Sequence, residues 1–176
     1  ILGNHDRMFS MFMEDYPRID YRLKPGYDWF HERIGGVETL ASYGIDADID
    51  RRIYQLHEDA QEAVPQHHLD FIKNLPLTLT AGELLFVHAG IRPGVALEQQ
   101  TEDDLVWIRE GFLDDPRPHD WLIVHGHTTV PEATHYGNRV NLDSGAGYGK
   151  PLTAAVFEGS ESWVLTDNGR EALKAE

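Results

Sequence analysis

The 176-residue sequence predicts an α/β (α+β) domain with histidines at its strand ends. Two observations predict it. Helical periodicity dominates as far as Leu75, and strand patterns dominate from Leu77 onward. In addition, three segments share one grammar, a hydrophobic run followed by a Gly-flanked loop bearing His: "ILGNHD", "LLFVHAG" and "LIVHGHT".

Taken in order, Ile1-Leu2 reads as the end of a strand that delivers the Gly3–Asp6 loop. "DRMFSMFMED" places Met8, Phe9, Phe12 and Met13 at helical spacing, with Asp6 as N-cap. "YDWFHERIGG" reads as a short helix stopped by Gly35-Gly36. The span from Asp48 to Leu75 is helical again, broken at Pro65 and restarted as "PQHHLDFIKNL". "LTLTAGELLFVHAG" is a hairpin, with Leu77 and Leu79 alternating, a turn at Ala81-Gly82, and a buried strand from Leu84 to Val87. "TEDDLVWIREGFL" is a helix with Thr101 as N-cap and acids in its first turn. "WLIVHGH" is a second buried strand, and "NRVNLDSG", "LTAAVFEG" and "SWVLTD" make a strand-rich final third.

The length fits a single domain spanning residues 1–176. With 41% hydrophobic and 10% aromatic residues the chain can build a core. Lys and Arg number 15 against 30 Asp and Glu, a net charge of -15 that repels nucleic acid and anionic membranes. The same field opposes a phosphate substrate, so a phosphate site would need bound cations and one or two Arg. The absence of Cys excludes disulfides and thiolate metal sites, and fits a reducing, cytoplasmic setting. No apolar run approaches the roughly 20 residues of a membrane-spanning helix.

Buried strands hold their ends rigidly, and the loops after them are where α/β proteins place ligand groups. Imidazole and amide oxygen are suitable ligands for a divalent ion such as Mn, Fe or Zn. Asn4, His88 and His127 are the candidates, far apart in sequence and dependent on folding to meet.

The order "GNHD", "FVHAGIRPG", "DLVWIREGF", "IVHGHTTVP", "NRVNLDSGA" resembles the bacterial branch of the phosphoprotein phosphatase (PPP) family of metallophosphoesterases, from Gly3 to about Leu152. That branch includes Ser/Thr protein phosphatases and symmetrical diadenosine tetraphosphatases. The resemblance implies a calcineurin-like β-sandwich flanked by helices. The family's first motifs, Gly-Asp-x-His-Gly and Gly-Asp-x-x-Asp-Arg-Gly, have no counterpart here. With Ile1 in place of an initiator Met, the expectation is an N-terminally incomplete domain. Its full-length parent would hold two divalent ions, with one site retained here.

By resemblance Asn4, His88 and His127 bind that retained ion. His5 is the general acid and Arg109 in "WIRE" contacts the phosphate, while Asp6, where many relatives have Glu, is the helix cap or an orienting group for His5. Two metals roughly 3.5–4 Å apart can hold a nucleophilic hydroxide and clamp the phosphate, and Arg suits a phosphate because its planar fork donates two parallel bonds. The activity expected of the full-length parent is hydrolysis of phosphate monoesters, chiefly protein phosphoserine and phosphothreonine, with the chain as given expected to be inactive. A symmetrical dinucleoside polyphosphate hydrolase and a non-catalytic form that binds metal or phosphorylated ligands are the alternatives. Partners are thus a phosphorylated protein or a small phosphoester, with neither nucleic acid nor membrane.

Plainer roles stand beside these. Arg109 also fits a surface ion pair, Arg92 a structural or rim residue, His125 a hydrogen-bonded support, and Asp143 a turn or a packing residue under the site. Tyr27, Trp29, Phe30 and Trp107 read as core.

Overall fold

The computed structural model describes residues 1–47, 51–159 and 161–175. It divides into two compact units, Leu2–Leu75 and Ile1 with Pro76–Glu176.

The first unit is helical: α1 (Asn4–Phe12), α2 (Gly36–Ser42), α3 (Ile53–Ala63) and α4 (Gln66–Lys73). The start of the expected Asp48–Leu75 helical span, Asp48 to Asp50, lies outside the described residues. Pro65 does separate two helices, since it has no N–H to donate and sits at the N-cap of α4. An aromatic cluster fills this unit. Trp29 lies 4.5 Å from Phe12 and 5.5 Å from Phe9 between ring centroids, and Phe30 meets Phe12 edge-on. Below it, a bidentate pair runs from Arg7 to the buried Asp20 (2.8 and 2.9 Å).

Three expectations fail here. Ile1-Leu2 is not a strand. Asp6 is not the N-cap of α1; that position is Gly3, and the Asp6 carboxylate reaches back to accept the Gly3 N–H at 2.8 Å. "YDWFHERIGG" forms turns, and the glycine pair begins a helix instead of ending one. The cause is a close approach: Gly36 N–H donates to the Trp29 carbonyl at 3.2 Å, and a Cβ on Gly36 would stand 2.3 Å from that oxygen.

The second unit carries two sheets. The larger has the order β1 (Thr78–Ala81), β2 (Leu84–Val87), β3 (Leu122–His125), β5 (Arg139–Asn141), β4 (Thr134–His135). Strand β1 pairs antiparallel with β2 through the expected hairpin, while β2, β3 and β5 run parallel. Central parallel strands are covered on both faces, which is why β2 and β3 read as unbroken apolar runs. The smaller sheet is an antiparallel meander of β6 (Ala155–Glu158), β7 (Glu161–Thr166) and β8 (Gly169–Ala172). Phe86 of β2 meets Phe157 of β6 edge-on at 6.0 Å, so the sheets face one another there. Such a mixed fold agrees with the sandwich that the sequence implied. Strand β8 begins at Gly169, after the two-residue turn Asp167-Asn168.

The core beneath the larger sheet is Leu85, Val87, Ile91, Leu105, Phe112 and Ile123. Helix α5 is shorter than the apolar stripe suggested, only Glu102–Trp107, with Thr101 Oγ1 accepting the Asp104 N–H as its cap. Gly90 is held at φ +155° with the Phe112 ring against it; a Cβ there would lie 2.3 Å from the ring. This explains the glycine of "HAG": the strand end passes directly over a core aromatic. Gly90→Ala is expected to cost about 2–3 kcal/mol in urea unfolding through overpacking, with the Phe112 ring displaced.

Candidate metal and phosphate site

Because β2, β3 and β5 are parallel, their C-terminal ends arrive at one edge of the sheet. Gathered there are His88 after β2, His125 at the end of β3 with Gly126 and His127 after it, and Asn141 at the end of β5 with Leu142 and Asp143 after it. Backbone bonds lock the three ends together. Gly126 N–H donates to the His88 carbonyl at 2.9 Å, and Leu142 N–H donates to the His125 carbonyl at 2.9 Å. The buried Asn141 amide donates to the Thr128 carbonyl at 2.7 Å and fixes the loop that follows.

Within this frame His88 Nε2 lies 3.2 Å from His127 Nδ1, with the rings inclined at 62°. Two nitrogens bound to one ion at about 2.1 Å would stand about 3.0–3.4 Å apart at octahedral or tetrahedral angles. The pair therefore has the separation that a shared divalent cation requires. Without an ion, one imidazole has to donate to the other, and two protonated rings would repel.

His127 has φ +64°, the left-handed region, alone among the described non-glycine residues. Such a backbone costs a β-carbon-bearing residue about 1–2 kcal/mol, and it persists where the surroundings over-determine it, commonly at functional sites. Here the outlier falls on the residue whose imidazole meets His88. The buried Trp107 meets the His127 ring edge-on at 5.6 Å and an interplanar angle of 88°, a wall that restricts the ring. Trp107 is thus core, as read from sequence, and also touches the site.

Arg109 lies beyond the C-terminus of α5, and its Nη2 donates to the His127 carbonyl at 3.4 Å. The expected helical setting among acids is not found, because Ile108 is extended and turns the chain out of the helix. An exposed guanidinium is left beside the imidazole pair, in a chain of net charge -15.

Supporting residues lie behind the pair. His125 is buried, and burial above all pushes its pKa down to about 4, with the Arg139 guanidinium adding to the effect. Arg139 Nη1 is 3.2 Å from His125 Nε2, and guanidinium can only donate, so Nε2 accepts. The proton must then be on Nδ1, which donates to the Gly126 carbonyl at 3.1 Å. His125 is a neutral strut of fixed tautomer, in line with its expected supporting role. Arg139 also donates to the Leu113 carbonyl at 2.8 Å and stacks on Tyr136, 3.7 Å from the ring centroid. Asp143 makes a turn, its Oδ1 accepting the Gly145 N–H at 3.0 Å, and Arg92 pairs with Asp104 at 2.7 Å. Both match the plainer readings.

Two groups escaped sequence reasoning. Arg139 could have been found as a charged residue at an inward strand position; Trp107 gave no separate signal. The remaining candidates belong to the Leu2–Leu75 unit. Asn4 opens α1 and is buried, His5 follows it exposed in the first turn, and Asp6 closes the cap. Among the described residues no group of three or more His, Cys, Asp or Glu is set to hold a metal. The donor set at the sheet edge is two imidazoles, and a third ligand would have to be of another type, such as an amide oxygen. An open cleft of about 410 Å³ adjoins the pair, lined among others by His88, His127, Asp143 and Leu152.

The family model for calcineurin-like phosphoesterases matches residues 1–159, and the chain belongs to that family. It is 29% identical over 178 residues to the bis(5'-nucleosyl)-tetraphosphatase PrpE [asymmetrical] of Anoxybacillus flavithermus, covering 91% of this chain and 63% of that protein. The protein of the same name from Bacillus subtilis is 27% identical over 138 residues, covering 69% of this chain and 53% of that one. The chain thus spans less than two thirds of the length of these relatives. A solved structure described as a candidate diadenosine tetraphosphatase shares 16% identity at a TM-score of 0.45, over 88% of this chain and 78% of that one, a likeness too distant to argue from.

The pair is tested by cation-dependent stability. Mn²⁺ or Zn²⁺ at 100 times its Kd should raise the unfolding free energy by about 2.7 kcal/mol. His127→Asn, which tolerates the same backbone, should remove that gain with little change in the stability of the metal-free protein. Removing Arg139 as Arg139→Met strands the His125 and Leu113 acceptors, and should cost about 2–4 kcal/mol in urea unfolding.

Proposed function

We propose that the chain serves divalent-metal-dependent hydrolysis of a bis(5'-nucleosyl) tetraphosphate, with phosphoryl contacts at the His88–His127 edge. The observation that carries this is the imidazole pair at 3.2 Å with Arg109 bonded to the His127 carbonyl beside it. The choice of substrate is supported by the names of the relatives, which favour a dinucleotide over phosphoserine or phosphothreonine. Those names also favour an asymmetrical cut, yielding a nucleoside triphosphate and a nucleoside monophosphate, over the symmetrical one.

A cation held by His88 and His127 would supply Lewis acidity and an activated water, and family likeness alone supports Asn4 as a further ligand. The chain's own groups do the rest. Arg109 offers a planar pair of donors to phosphoryl oxygens that gain charge during the reaction. Its bond to the His127 carbonyl keeps it within reach of that edge at little cost, since a backbone oxygen competes weakly with phosphate. Family likeness supports His5, exposed in the first turn of α1, as the donor of a proton to the leaving phosphate, and the Asp6–Gly3 bond fixes that turn.

Incubation with diadenosine tetraphosphate and Mn²⁺ should give ATP and AMP on chromatography. ADP alone would mean the symmetrical cut, and release of phosphate from a phosphopeptide at a higher kcat/KM would overturn the choice of substrate. Arg109→Ala should lower kcat/KM by about 10²-fold, the loss of one charged contact to the transition state.

A further inference from the structure

A second cleft, of about 580 Å³, opens where β4 faces β7 and β8. It shares Ser144, Leu152 and Thr153 with the cleft beside His88 and His127, so those residues form the ridge between the two. The Ser144 and Thr153 hydroxyls lie 2.7 Å apart and bond to each other along it. The far walls are mixed. Val164, Leu165 and Leu173 give apolar surface, while Thr166 donates to the Glu171 carboxylate at 3.1 Å.

Lysine is scarce in this chain, yet two of its four, Lys150 and Lys174, line this one cleft. Neither forms an ion pair among the described residues. Gly145 is part of the reason Lys150 can serve. It stands at φ +88°, and a Cβ there would come within 3.3 Å of the Lys150 stem, so the bare backbone gives the stem room. Glu132 and Glu171 also line the cleft, which is therefore balanced in charge and not a general anion trap. Apolar walls with a few hydroxyl, carboxylate and ammonium groups suit a nucleoside phosphate: walls for the base, carboxylate for ribose hydroxyls, ammonium for phosphate.

We propose that the cleft between β4 and the β7–β8 hairpin is a nucleotide subsite, which receives the half of the substrate lying beyond the Ser144–Leu152–Thr153 ridge. This rests on the dinucleotide reading above, and adds where the second nucleoside goes. A polyphosphate chain crossing the ridge would keep its reacting phosphate beside His88 and Arg109, with its far end between Lys150 and Lys174.

The test is equilibrium binding of ATP and of inorganic phosphate by calorimetry, with EDTA present so that no cation bridges to the histidines. Two variants are compared with the unaltered chain: the double change Lys150→Glu with Lys174→Glu, and Ala172→Trp, which fills the cleft without altering charge. Each should lower the affinity for ATP by about tenfold, with thermal melting unchanged. An unaltered chain that binds ATP no better than phosphate, or variants that keep the full ATP affinity, would overturn the subsite. Hydrolysis of diadenosine tetraphosphate by the unaltered chain is read separately. Its absence would overturn the substrate reading, while the calorimetry alone decides whether the cleft holds a nucleotide.

Discussion

Everything at the candidate site depends on three parallel strands ending at one edge. Parallel pairing of β2, β3 and β5 is what lets residues as distant as His88, His127 and Asn141 share a few ångströms. The Gly126 N–H on the His88 carbonyl then fixes the spacing of the two loops to within a hydrogen bond. From that constraint the 3.2 Å separation of Nε2 and Nδ1 follows, and with it the capacity to share a cation. A His held at φ +64° is the strained part of the arrangement, and its surroundings offset the strain: Trp107 on the ring, Arg109 on the carbonyl, Asn141 on the next residue but one counted from Gly126.

The buried polar groups behind the edge are there for geometry. A guanidinium in the interior is costly unless its donors are used, and Arg139 spends them on His125 and the Leu113 carbonyl while its face lies on Tyr136. That arrangement leaves His125 one tautomer and no charge near neutral pH, so it props the strand end without adding repulsion beside the imidazole pair. Electrostatics and packing thereby point the same way. In so acidic a chain, the few cations near the edge are the groups that would let an anionic substrate approach.

Legibility in the sequence followed the range of the interaction. The β1–β2 hairpin, whose turn is Gly82-Glu83 and so one residue beyond the expected Ala81-Gly82, the break at Pro65 and the Thr101 cap are set by residues a few positions apart and were readable. The glycine pair at Gly35-Gly36 was misread because its reason, the Trp29 carbonyl, is a tertiary neighbour. His88 and His127 were readable as candidates from their strand-and-loop grammar, and the fold brings them together. Arg109 was a candidate only through family likeness, and its place beside the imidazole pair depends on where α5 stops. The supporting roles of Arg139 and Trp107 depend on contacts across the sheet edge that periodicity does not encode.

The most direct measurement is an anomalous-scattering map from crystals of the chain loaded with Zn²⁺. A single peak at about 2.0–2.1 Å from both His88 Nε2 and His127 Nδ1 is the result expected of a shared cation. A peak on only one imidazole, or ordered zinc elsewhere with the two rings still hydrogen-bonded to each other, would contradict the account.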